Sequence, residues 1–168
     1  GVNGLTLPAL DPHSFQPELK HAAVKILKAE LPWRFLVFGW AAPADVLRLQ
    51  AAMRPYMKRF AYASCTLFGR ERTGVLFRAA DDYPAEPALI ADIEARFGIE
   101  GAQVLRYDDR RRGNARHIRL SEGRLEAVSL AGDIAAESWL REYLDSGQPV
   151  AALGRQLLSP SSKAPQGF

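Results

Sequence analysis

The chain has 168 residues, 48% of them hydrophobic and 24% charged, with a formal net charge of +3. This composition excludes a disordered chain, and no apolar run approaches the roughly 20 residues that a membrane helix requires. A single cysteine, Cys65, excludes an internal disulfide and any cluster or zinc site built from several thiolates of these residues.

Residues 2–26 read VNGLTLPALDPHSFQPELKHAAVKI. Pro8, Pro12 and Pro17 punctuate them, Asp11-Pro12-His13-Ser14 reads as a turn, and the alternation of Ala23-Val24-Lys25-Ile26 predicts a short strand. The stretch reads as the last loop and last strand of a larger domain. Neither a basic n-region nor an apolar h-region marks a secretory signal.

Leu31-Pro32 marks a boundary. WRFLVFGW (33–40) is apolar on both faces, which predicts a central strand. Pro43 and Asp45 suit a helix start, Val46, Leu49 and Met53 follow at helical spacing, and Pro55 limits the run. FAYASCTLF (60–68) is the second strand, and Gly69-Arg70-Glu71-Arg72 connects it to a third, TGVLFRA (73–79). Pro87 opens a second helix with Leu89, Ile93 and Phe97 on one face, ending at Gly98. QVLRY (103–107) completes the order β-α-β-β-α-β, the ferredoxin-like pattern.

Downstream, ARHIRL and RLEAVSL flank Ser121-Glu122-Gly123 as a hairpin. Asp133 suits the N-cap of a helix carrying Trp139, Leu140, Tyr143 and Leu144, with Gly147 just past its end. Pro149 opens a short helix with Val150, Leu153 and Leu157. From Ser159 the composition is that of a linker. The expected organisation is therefore 1–30, the end of a preceding domain; 31–107, a ferredoxin-like α+β unit; 108–158, a hairpin-plus-helices extension; and 159–168, a tail.

Local chemistry is sparse. There is no glycine-rich phosphate loop, HExxH, GxSxG or cysteine pair. His13, His21 and His117 are scattered, and for each a surface or hydrogen-bonding role is the common reading, ligation the rare one. Asp81-Asp82 and Asp108-Asp109 lie at strand ends, where solvated turn carboxylates are commoner than acid–base pairs. Cys65, in an apolar run, reads as an inert thiol. Arg110, Arg111 and Arg112 suit an anion, a nucleic-acid backbone or an acidic partner, and equally a solvated strand edge.

A pattern at the start of the chain carries more. Val2-Asn3, Leu5-Thr6, Asp11-Pro12, Ser14, Pro17-Glu18 and Lys20, followed by the strand 23–26, resembles the C-terminal end of the dinucleotide-binding β-barrel domain in bacterial nitrate reductases of the molybdenum–bis(molybdopterin guanine dinucleotide) family. YDDRRRGNARHIRLSEGRLEAVSLAGD and SWLREYLDSGQPVAALGRQLLSP are similar to the extension found in the assimilatory, cytoplasmic branch. A related hairpin-plus-helix element occurs in some flavin-dependent reductases.

The resemblance implies that Asn3 and Lys20 contact the pterin guanine dinucleotide. An amide both donates and accepts at a pterin edge, and a lysine offers a point charge to a pyrophosphate. Read without the family pattern, Asn3 is a turn residue and Lys20 a surface charge. The resemblance further implies a molybdenum enzyme reducing nitrate to nitrite, whose [4Fe–4S] cluster and metal pocket belong to an upstream part of the catalytic subunit. Ferredoxin, flavodoxin or a reductase subunit would donate electrons, with Arg110–Arg112 as a docking patch. No nucleic-acid or membrane partner is expected. Some family members continue into a cysteine-rich [2Fe–2S] domain after such a linker; these residues hold no further cysteine, so either the parent lacks that domain or the chain was cut before it. Two alternatives stay open: another enzyme of the same cofactor class, such as a formate dehydrogenase, and a stand-alone interaction or RNA-binding module. For the latter, RERTGVLFRA (70–79) distantly echoes an RNA-binding strand.

Overall fold

Strand β1 (Trp33–Ala41) is apolar on successive residues, so both of its faces need cover and both of its edges need partners. The computed structural model describes residues 31–159 and satisfies both needs. The other strands are β2 (Tyr62–Phe68), β3 (Thr73–Asp81), β4 (Leu105–Asp109), β5 (Asn114–Ser121) and β6 (Arg124–Ala131). They form one open antiparallel sheet in the order β2-β3-β1-β6-β5-β4. The described residues from Trp33 onward belong to a single compact unit.

Among the described residues, four α-helices and one 3-10 segment pack on the sheet. On one face lie α1 (Val46–Ala52), the short α2 (Arg54–Met57) and α3 (Pro87–Arg96), covering Trp33, Phe35, Val37 and Phe77. Pro55 falls at the start of α2, where its missing N–H has no helical partner to lose. On the other face, α4 (Glu137–Ser146) and the 3-10 segment Ala151–Leu157 cover Leu36, Phe38, Ile118 and Leu130. Gly147 closes α4 in the left-handed conformation at φ 68°, with its N–H bonded to the Tyr143 carbonyl. Arg78 on β3 grips Glu137 in the first turn of α4 through both guanidinium nitrogens.

The sheet departs from the ferredoxin-like arrangement that the element order predicts. In that arrangement the strand after the second helix lies beside the first strand. Here β6 takes the place next to β1, with Phe35 opposite Ala131 and Gly39 opposite Ala127, and β4 is displaced to the far edge. The reason is burial. β6 is buried over most of its length, whereas β4 reads LRYDD and would carry three charges into the centre. The stretch expected as a hairpin-plus-helices extension thus supplies two of the six strands and the cover for the second face.

Two smaller differences follow. The fourth strand runs 105–109 instead of 103–107, because the Arg110–Gly113 turn sets its register against β5, pairing Asp109 with Asn114. Asp133 does not cap α4. Its Oδ1 accepts from the Ala135 N–H at 3.0 Å in a turn, and Ala136 holds the cap position.

Candidate functional site

Side chains alternate along β5, so Arg116 and His117, both buried, point to opposite faces of the sheet. His117 meets the α3 face. There Pro87 starts the helix, Leu89 and Ile93 anchor it in the core, and Glu94, one residue further round, is carried inward to 2% exposure. On β4, Arg106 pairs directly with His117, which puts Asp108 diagonally within reach on the same face.

His117 Nδ1 lies 2.7 Å from Glu94 Oε2, and Nε2 lies 2.7 Å from Asp108 Oδ1. A carboxylate at each ring nitrogen favours the imidazolium, which donates at both. Burial opposes that charge and lowers the pKa. The hydrogen bond and attraction from Glu94, then those from Asp108, outweigh it, so the pKa is raised above the ordinary histidine value. With both nitrogens engaged, the ring has no lone pair for a metal or a substrate proton. The arrangement ties α3 to the β4–β5 hairpin with a charge.

Asp108 is half exposed and opens onto a cavity of about 530 Å³. Its floor is Trp33 and its wall the Pro84–Pro87 loop, with Arg106 and Arg110 at the polar side. The Trp33 Nε1–H donates to the Gly113 carbonyl at 3.2 Å. Gly113 has φ +69°, and a Cβ there would come within 2.7 Å of Pro84, so glycine is required for the hairpin turn to close on this loop. A larger depression of about 810 Å³ along Gly69–Arg72 and the end of α4 is open, and the titratable side chains lining it are exposed. The smaller cavity, beside the buried Glu94 and His117, is the better candidate.

On the opposite face the Arg116 Nη1–H donates to the Leu157 carbonyl at 3.1 Å. Burial lowers its pKa, while Asp133 and Tyr107 act in the other direction.

Among the residues singled out in the sequence, Asn3 and Lys20 lie outside the described residues. Arg110, Arg111 and Arg112 form the exposed β4–β5 turn, where Arg112 is held by Asp109, which accepts its backbone N–H at 3.3 Å. Asp108, read as a solvated turn residue, is instead a strand residue bonded to His117, because the hairpin register brings it there. His117 has the hydrogen-bonding role expected of it. Nothing in the sequence motifs singles out Glu94; the one signal it offers is an acid adjoining Ile93 on the apolar side of a helix. Cys65 is half-buried, and burial pushes its thiol up to about 11. Leu76 and Phe77 on β3 are buried, so the strand that echoes an RNA-binding motif exposes no aromatic pair for base stacking.

Fold and site together define an α+β unit with helices on both faces of an antiparallel sheet. Comparison with protein-family models, curated proteins and solved structures finds no match. Among the described residues no helix is long and apolar enough to cross a membrane. No group of three or more His, Cys, Asp or Glu among them is arranged to hold a metal ion.

Proposed function

We propose that this chain is the C-terminal part of a molybdenum nitrate reductase catalytic subunit, working in the cytoplasm in nitrate assimilation. Residues 1–30 would complete the pterin dinucleotide-binding domain, and the sheet unit would be an accessory module facing the electron donor. The observation that carries this reading is the fixed spacing of Asn3, Thr6, Asp11-Pro12, Pro17-Glu18 and Lys20. The cofactor would supply oxygen-atom transfer, nitrate taking two electrons and two protons to give nitrite and water. Asn3 and Lys20 would hold its nucleotide end.

Supporting the docking role, the exposed turn places three arginines in succession at the tip of a hairpin. Small acidic donors such as ferredoxin or flavodoxin would be drawn to it, and salt would weaken the attraction.

The test is to isolate the native polypeptide carrying this sequence, measure its intact mass, molybdenum and iron, and assay nitrate-dependent oxidation of reduced viologen. A larger chain with molybdenum and nitrate turnover supports the reading. Molybdenum with turnover of formate alone places the chain elsewhere in the same cofactor class. A metal-free polypeptide overturns it.

A further inference from the structure

The two edges of the sheet are treated differently. β4, at one edge, carries Arg106, Asp108 and Asp109, charges that discourage strand pairing. β2, the other edge among the described residues, reads YASCTLF and has no charge, no proline and no register shift against β3 from Tyr62 to Phe68. Thr66 and Leu67 are exposed on it, Leu67 to 43%. An uncharged regular edge of this length is a template for a further strand.

The order of side chains says which strand. Reading outward from Cys65, the strand repeats in chemical type: Ser64 and Thr66, Ala63 and Leu67, Tyr62 and Phe68. An antiparallel pair centred on Cys65 sets hydroxyl against hydroxyl, small against aliphatic and ring against ring, all on matching faces. A two-fold interface needs such self-complementarity, since each residue must suit its own symmetry mate's neighbour.

We propose that β2 is a homodimerisation edge, on which a second copy of this chain pairs antiparallel about Cys65 to extend the sheet across both molecules. This goes beyond the proposed function and does not depend on it.

The full 168-residue chain is tested by sedimentation across a concentration series, alongside the variant Thr66→Lys. The lysine puts like charges on diagonal positions near the two-fold axis and is expected to weaken dimerisation roughly tenfold or more. Cys65 is the sole cysteine, so any disulfide dimer joins the two copies there. Opposed residues in an antiparallel pair have Cα atoms about 4.5–5.5 Å apart, within the roughly 4.4–6.8 Å that a disulfide spans. Two thiols giving two electrons to copper–phenanthroline at alkaline pH are expected to link the dimer quantitatively. A wild type that stays monomeric overturns the proposal. So does a dimer that Thr66→Lys leaves intact and oxidation does not link. Should Thr66→Lys misfold, hydrogen exchange on the wild type decides. Amides of Tyr62–Phe68 that slow at high concentration while those of β4 do not support the pairing, and unchanged exchange in both overturns it.

Discussion

The two layers that cover the sheet solve the same burial problem with different materials. The α1–α3 face is aromatic: Trp33, Phe35 and Phe60 stack with centroids 6.1–6.4 Å apart, and Phe77 meets Phe35 and Phe60 edge-on. The α4 face draws more on aliphatic residues, Leu36, Leu125, Leu130, Leu140 and Leu144 among them, and its rings meet in pairs, Trp139 edge-on to Tyr143 and Phe38 edge-on to Phe68. Each face also buries one basic side chain from β5, and here the contrast is sharper. His117 carries a charge that depends on pH and is held by two carboxylates, whereas the Arg116 guanidinium is held by a backbone carbonyl. One face thus contains a titratable tie, the other a tie insensitive to pH.

The largest expected effect lies in the aromatic layer. Phe35→Ala removes a fully buried ring shared by three partners and should cost about 3–5 kcal/mol in denaturant unfolding. Leu140→Ala, fully buried in the aliphatic layer, should cost about 2–5 kcal/mol. If Leu140→Ala proves the more damaging, the aromatic stack is not the stronger half.

His117→Leu should follow at about 3 kcal/mol, because it leaves Glu94 buried without its counter-charge. Adding Glu94→Leu should recover most of that loss, and a double-mutant cycle measures the coupling. Arg116→Met should cost less, about 1–3 kcal/mol, the consequence of a carbonyl at Leu157 losing its donor.

The pH dependence separates the two ties. The folded-state pKa of His117 is raised above its unfolded value of about 6.5. Its contribution is therefore complete below that value and lost as pH rises through the folded-state pKa. The stability gap between wild type and His117→Leu should narrow on going from about pH 6 to about pH 9, while the Arg116→Met gap stays constant. A gap that widens for His117→Leu would mean the ring is buried neutral. The smallest effect on stability belongs to the arginine turn. Replacing Arg110, Arg111 and Arg112 with Glu should shift it by no more than about 0.5 kcal/mol. If the proposed function holds, the same change in the larger enzyme should slow turnover with an acidic donor and leave viologen-driven turnover untouched.

Residue periodicity alone locates most of the elements. The apolar run at 33–40, the Ser121–Gly123 turn and the spacing of Leu89, Ile93 and Phe97 are each local signals, and each element lies within a few residues of where its pattern puts it. The candidate site was less legible. The sequence suggests a hydrogen-bonding role for His117, but its partner Glu94 is 23 positions away on another element, and nothing local to either residue announces the other. The boundary of β4 was displaced because Val104 is apolar, as a strand residue would be, yet packs in the core from the preceding loop.

What the amino-acid order determined by itself is therefore the inventory: which stretches are strands, which are helices, where the chain turns, and that β1 must be central. Tertiary structure alone decided that β6, and not β4, lies beside β1, that consecutive residues 116 and 117 serve different layers, and that the edges among the described residues are the charged β4 and the uncharged β2. The reason is one of range. Secondary structure follows from interactions a few residues apart, whereas strand neighbours are chosen by competition for burial, in which a strand's charge matters more than its place in the chain.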